Sequence, residues 1–441
     1  MLTYTISELP PPAGADPPFA SAAEDVNTDG VAAGSAVFRG PGDHSEAVVW
    51  PEHASPTVLE MPPPDTLGWA INDAGDAVGY LRHPPVQPFL YHHDTGLIED
   101  FSAALPGPES WVFDLNNDRI VTGASGRAVP NVPFVYEGKN GSVTLLETVP
   151  GRRVLPTAIN EAGHVAGFSA TDDLPPDPHA LIYRDGTMQD LGPAGEVADV
   201  NNHDVIVGTA YDLPQAFPGR AFRLDASVPH PSLELISPPV PVPGYTCGSA
   251  INDDGVVVGW WQPEGEKWRA FVDIPSGVDA GFHELQDVVV EADDWQLLGA
   301  SGISNTGYIV GFGWYQEKYR GFLLTPAPDY WLKKEFEKVR EVLLGLLGIF
   351  GGATVGGAGW GLLPGGKPVP IDPHGPMRER WEQLTEAERD FYLGLAIQHL
   401  DSIVSGGGRG EIVQKAGRQI VESARKELES KAQEMKKRDR N

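Results

Sequence analysis

Few residue sets in this chain have the types and spacing that could do chemistry. Asp25-x-Asn27-x-Asp29-Gly30 places oxygen ligands at alternate positions before a glycine, as a calcium loop opens. Asp114-x-Asn116-x-Asp118 echoes it in part, but no acid stands at the twelfth position of either loop. A hairpin turn accounts for the same residues. No cofactor is therefore expected, with calcium on Asp25, Asn27 and Asp29 as the one alternative. The acid pairs Asp172-Asp173, Asp293-Asp294 and Glu264/Glu266 are neighbours in sequence. Glycoside hydrolysis needs two carboxyls converging from different segments, which such pairs do not show. His92-His93, His179, His203 and His283 lack metal-ligand spacing. Cys247, the only cysteine, has no adjacent base and reads as a small buried residue. One cysteine also excludes a disulfide framework.

The elements that must position these residues come from a repeat. It begins as Asp25-Val-Asn-Thr-Asp-Gly-Val-Ala-Ala-Gly34, and a clear later copy is Ala250-Ile-Asn-Asp-Asp-Gly-Val-Val-Val-Gly259. Seven copies occur, closing at Gly34, Gly79, Gly123, Gly167, Gly208, Gly259 and Gly311. A weaker motif follows most of them, such as Pro88-Phe-Leu-Tyr91 or Ala180-Leu-Ile-Tyr183. Each period then reads as four short strands, with Asn-x-x-Gly as the first hairpin turn. Four strands per period, repeated, are the signature of a propeller blade.

The fold expected is therefore mainly β: a seven-bladed β-propeller of four-stranded blades over residues 1–328. The seventh copy ends at Leu324 without a fourth strand. Residues 2–9 resemble the missing strand and are expected to close the ring as the outer strand of the last blade. Loops joining second and third strands should lie on the face opposite the Asn-x-x-Gly turns. They hold the ligand-face candidates His83, Tyr211, Trp260, Trp261, Trp268, Trp314 and Tyr315. Exposed aromatics there would suit a protein hot spot or a glycan.

At these motifs the sequence resembles the bacterial HAF-type, or probable extracellular, repeat family, with a pattern near Ala-Ile-Asn-x-x-Gly-x-Val-Val-Gly. The resemblance covers residues 2–325 and is strongest where Ala180–Tyr183 precedes Asp190-Leu-Gly192. It implies architecture and carries no assigned activity. Arg119 and Asp204 replace the turn glycine, and Ser304 replaces the asparagine, so those turns are expected to differ in geometry. The family name implies secretion. The first twenty residues show no signal peptide, so the chain reads as cytoplasmic, or exported by a route without an N-terminal signal.

Charge divides the chain at the same boundary. Residues 1–328 carry 14 Lys and Arg against 44 Asp and Glu, and residues 329–441 carry 18 against 17. With a net charge of −29, the chain is a poor partner for nucleic acid. Residues 329–441 read as a helical region with a Gly-rich apolar connector at 342–366. An amphipathic helix over 330–350 would present Leu343, Leu346, Leu347 and Phe350 for docking or membrane contact. Residues 342–363 carry no charge but include eight glycines, which weaken a spanning helix.

The functional reading is a non-catalytic binding or scaffold protein. The propeller surface would hold a protein partner and the tail would serve docking or assembly. The alternatives are a glycan-binding or glycan-degrading protein and a membrane-associated protein acting through 342–363.

Overall fold

The computed structural model describes residues 3–326, apart from 16–20, 39–42, 52–54, 62–64, 128–130, 172–176, 212–218, 230, 239–243, 277–278 and 291. It also describes Trp360–Leu362 and Pro368–Pro370. The chain divides into two units, Met1–Pro326 and Ala327–Asn441. In the second unit, the described residues form one antiparallel strand pair. The helix expected over 330–350, with Leu343, Leu346, Leu347 and Phe350, lies outside the described residues. Among the described residues no helix is long and apolar enough to cross a membrane.

The first unit is a seven-bladed propeller. Six sheets have four antiparallel strands in sequence order. The first strands of the seven blades are Ser21–Val26, Thr66–Ile71, Ser110–Leu115, Arg153–Ile159, Glu196–Val200, Gly244–Ile251 and Trp295–Ile303. They surround the axis, and each adjoins the next. Fourth strands form the outer rim, where Leu233–Leu235 is exposed throughout. The seventh sheet is closed from the N-terminus. Tyr4–Leu9 pairs antiparallel with Lys318–Pro326, from Tyr4↔Pro326 to Leu9↔Gly321. A short strand, Val289–Val290, adds parallel to Tyr4 and Thr5, so this blade has five strands.

Two devices explain the repeat. The first is a ring of amides at the turn end. In blade 1, Asn27 Oδ1 accepts from Asp29 N (3.1 Å) and Val31 N (2.9 Å). Its Nδ2 donates to Asn72 O of blade 2 (3.1 Å). Asn72, Asn116, Asn160, Asn201 and Asn252 each donate to the next blade in the same way. Blade 7 has Ser304, which lacks the amide. Thr306 completes the ring there by donating Oγ1–H to Thr28 O (2.6 Å). A buried amide with its donor and acceptor filled locks both the hairpin and its neighbour.

The substituted turns keep the geometry, contrary to expectation. Arg119 (φ 61°) and Asp204 (φ 58°) take the left-handed conformation that Gly30, Gly75, Gly163, Gly255 and Gly307 take elsewhere. Their side chains instead tie blades together. Arg119 Nε donates to the buried Asp76 of blade 2 (2.7 Å). Asp204 accepts from Asn160 Nδ2 (2.9 Å) and pairs with Arg184 Nη1 (3.2 Å).

The second device is a bulge in the first strand of every blade, at Ala23/Asp25 in blade 1 and Gly68/Ala70 in blade 2. It recurs in blades 3 to 7. The bulge pushes a carbonyl toward the glycine that closes the repeat. A Cβ on Gly79 would sit 1.9 Å from Leu67 O and 2.7 Å from the Phe89 ring. The other six closing glycines meet a backbone oxygen at 2.0–2.3 Å. Phe89 faces Gly79 directly across the sheet, as Phe134, Phe222, Phe271 and Phe322 face their own glycines. The aromatic of the second motif therefore fills the space that the glycine leaves.

Candidate functional site

The turn end of the axis opens into a hollow of about 580 Å³ lined by Asp73, Asn117, Glu161, Asn202, Asp253 and Asn305 among others. Five of these residues follow ring asparagines and Asn305 follows Ser304, and together they form a second ring. Each accepts from the backbone N–H of the preceding blade, as in Asp73 N→Asn117 Oδ1 (2.8 Å) and Asn202 N→Asp253 Oδ1 (2.9 Å). This mouth is a self-satisfied polar collar.

Two of the three calcium candidates are also engaged by backbone groups. Asp25 accepts from Val26 N (2.7 Å) and Ile71 N of the next blade (2.9 Å), Asn27 belongs to the amide ring, and Asp29 is exposed. Asp25 thus holds a blade junction and Asn27 a turn. Asp76, His92 and Asp94 do bring ligand atoms together. Arg119 already pairs with Asp76 (2.7 Å) and Asp94 (3.3 Å), which supplies the cation that cluster needs. Burial alone would raise Asp76, but its Arg119 hydrogen bonds prevail and hold it below the usual carboxylate range.

Asp25, Asp114 and Asp199 stand two residues before the ring asparagines of blades 1, 3 and 5. Each caps the first strand of the following blade, through Ile71 N, Ile159 N (2.8 Å) and Ile251 N (2.8 Å). All three are half-buried. Burial lifts Asp25 to about 6 and Asp199 to about 7, and lifts Asp114 well above the usual range. A raised folded-state carboxylate pKa means the native chain holds more protons than the unfolded chain. Its stabilising effect is full at low pH and is lost as pH rises through 6 and 7. Repulsion within a chain of charge −29 acts in the same direction. The urea midpoint is therefore expected to fall from pH 5 to pH 8. A midpoint that rises over this interval would contradict the assignment.

The opposite face carries the aromatics. Tyr245 stacks on Trp260 (centroids 5.0 Å) and Trp260 on Trp268 (5.1 Å), a three-ring ladder on blade 6. Trp268 ends it and is 44% exposed. Tyr211 of blade 5 joins through a hydrogen bond with Tyr245. Of the seven predicted residues, Tyr211, Trp260 and Trp268 thus meet. Trp261 does not belong to this surface. It is buried, edge-on to Phe282 (5.9 Å), with Arg269 over its ring (5.3 Å). It points the other way because successive strand residues alternate faces. Tyr315 stacks on Trp295 (4.7 Å) within blade 7, and Trp314 sits edge-on to Tyr319 (5.7 Å). His83 is exposed in the blade 2 loop, outside these clusters.

Cys247, His179 and His92 have structural partners. The Cys247 thiol is pushed up to about 11 by burial and accepts a hydrogen bond from Thr209 (3.1 Å), so it is not poised as a nucleophile. His179 pairs with Asp190 (3.0 Å), and His92 with Glu99 (2.9 Å).

Sequence reasoning passed over Glu24, Trp69, Tyr245 and Tyr319. Glu24 and Trp69 occupy one repeat position, three before the ring asparagine, where the bulge falls. The seven copies read Glu24, Trp69, Phe113, Thr157, Ala198, Ser249 and Ser301. Such disagreement inside a regular repeat was the signal available.

No family model matches this chain, and no curated protein matches it. Solved structures similar to it include the β-propeller domain of the Trilobed protease from Pyrococcus furiosus (10% identity, TM-score 0.49, 70% of this chain and 97% of that one). Another is the Pyrococcus horikoshii acylaminoacyl peptidase (11%, TM-score 0.48, 72% of this chain). This chain spans 54% of that peptidase. A third is virginiamycin B lyase from Staphylococcus aureus (11%, TM-score 0.45, 73% of this chain and 99% of that one).

Proposed function

We propose that this protein is a non-catalytic binding or scaffold protein of the HAF-repeat type, holding a protein partner on the face opposite the amide ring. The observation that carries this reading is the Tyr245–Trp260–Trp268 ladder, stacked inward and solvated at its outer end. Rings already ordered by stacking lose little freedom when a partner covers them, which favours a hot spot. The ladder is bordered by Lys267 and by Arg269, which is held between Glu284 (2.8 Å) and Glu266. That mixed-charge rim suits a protein partner. A pyranose could also stack on Trp268, so glycan binding is the second reading.

The test compares the full chain with its Trp268→Ala variant for a partner captured and identified by mass spectrometry, and on a glycan array. Truncating a hot-spot tryptophan costs about 2 kcal/mol, roughly 30-fold in Kd. The expected result is that loss for a protein partner with an unchanged melting temperature. Equal binding by the two proteins would remove the ladder from the interface. A variant-sensitive glycan signal without a protein partner would move the assignment to the second reading.

A further inference from the structure

A second hollow on this face, about 550 Å³ and open to solvent, lies where blades 7, 1 and 2 meet. Its walls include Leu67, Trp69 and Tyr319, and Glu24 opens into it. Trp69 is 36% exposed and leans on Tyr80 (centroids 6.1 Å). Tyr319 is braced by Phe312 (5.6 Å) and Trp314 (5.7 Å). The walls are thus aromatic and already packed from behind.

Glu24 is the exception in this setting. The bulge turns it out of the sheet ladder, and it makes no hydrogen bond or ion pair among the described residues. The three serines of the hollow are engaged. Ser21 Oγ donates to Leu9 O (2.9 Å), Ser35 Oγ accepts from Gly68 N (3.2 Å), and Ser45 Oγ accepts from Arg82 Nη2 (3.4 Å). Burial first, and then the Asp25 charge, push the Glu24 carboxyl up to about 7. A deep carboxyl without a partner, in an aromatic pocket, lacks the positive charge that would compensate its desolvation.

We propose that this hollow binds an alkylammonium group, its charge against Glu24 and its carbon substituents on the faces of Trp69 and Tyr319. Aromatic faces attract ammonium ions, most strongly when water is excluded. A hard divalent cation would need six or more oxygens, and the serines here are committed. The acidity of the propeller as a whole draws cations toward its surface. The inference extends the binding reading but stands on blades 7, 1 and 2, apart from the ladder of blades 5 and 6. Either can therefore fail alone.

The test is calorimetric titration of the full chain with n-butylammonium and with tetramethylammonium chloride, against sodium chloride at equal ionic strength. Saturable binding of both amines and no sodium response are expected. Glu24→Gln is expected to weaken binding at least tenfold. Trp69→Ala is expected to weaken it as well and tests the site should Glu24→Gln fail to fold. Absence of saturable binding would overturn the proposal. So would amine binding that survives both substitutions, or a sodium response of equal size.

Discussion

Gly79→Ala is expected to destabilise the propeller by about 3 kcal/mol, at the upper end for overpacking. The new methyl would lie 1.9 Å from Leu67 O and 2.7 Å from the Phe89 ring. Neither neighbour has room to give. Leu67 O is backbone fixed by the bulge next to it, and Phe89 is fully buried. Relief requires the first two strands of blade 2 to part, which breaks their ladder. Gly163→Ala is the control. It sits at φ 78° with nothing within 4 Å of a new Cβ, so it carries only the left-handed backbone penalty of about 1 kcal/mol. Arg119 and Asp204 already accept that conformation at the equivalent turn. Denaturant midpoints separate the two variants. An equal loss would mean the closing glycine is chosen for conformation and not for space.

This contrast shows what the sequence could and could not disclose. Blade number, strand count and the closing N-terminal strand follow from periodicity, which reports pattern along one chain. The two glycines of the five repeats that carry both look alike in sequence. One serves a positive φ, and the other makes room for a carbonyl in the adjacent strand. Nothing in a single strand reveals its neighbour's bulge. The ring asparagines were legible as turn residues but not as ring members, since each donates to the next blade, 41–52 residues on. Ser304 looked like a defect because its replacement, Thr306, lies two residues further on. The site was legible only in part. Loop position pointed to Trp260 and Trp268, but it could not separate Trp261, one residue along and facing the core. Glu24 stands one residue before the repeat motif, where its charge drew no notice.

Removing residues 1–10 is expected to open the ring. Those residues supply the strand that pairs with Lys318–Pro326 over six positions. They also bury Tyr4 and Leu9, at roughly 1.5–3 kcal/mol for each large side chain. Three further bonds tie the strand to its surroundings: Arg320 Nε→Glu8 (2.9 Å), Ser21 Oγ→Leu9 O (2.9 Å) and Trp50 Nε1→Pro10 O (2.8 Å). Two of these reach blade 1, so the strand joins the first blade to the last. Without it, Lys318–Pro326 becomes an open edge beside an exposed apolar face, a template for pairing with other chains. The truncated chain should aggregate on size-exclusion chromatography and unfold over a broader temperature range. A synthetic peptide of residues 1–11, added in trans, should add back as a strand and restore the sharp transition. A truncated chain that stays monomeric, with an unchanged melting curve, would show that the amide ring alone holds the blades closed. The two closures differ in kind. The amide ring bonds each blade to the next at one end of the axis, whereas the N-terminal strand completes a blade. Only the strand supplies apolar burial along the full height of the sheet, so its loss should be the greater.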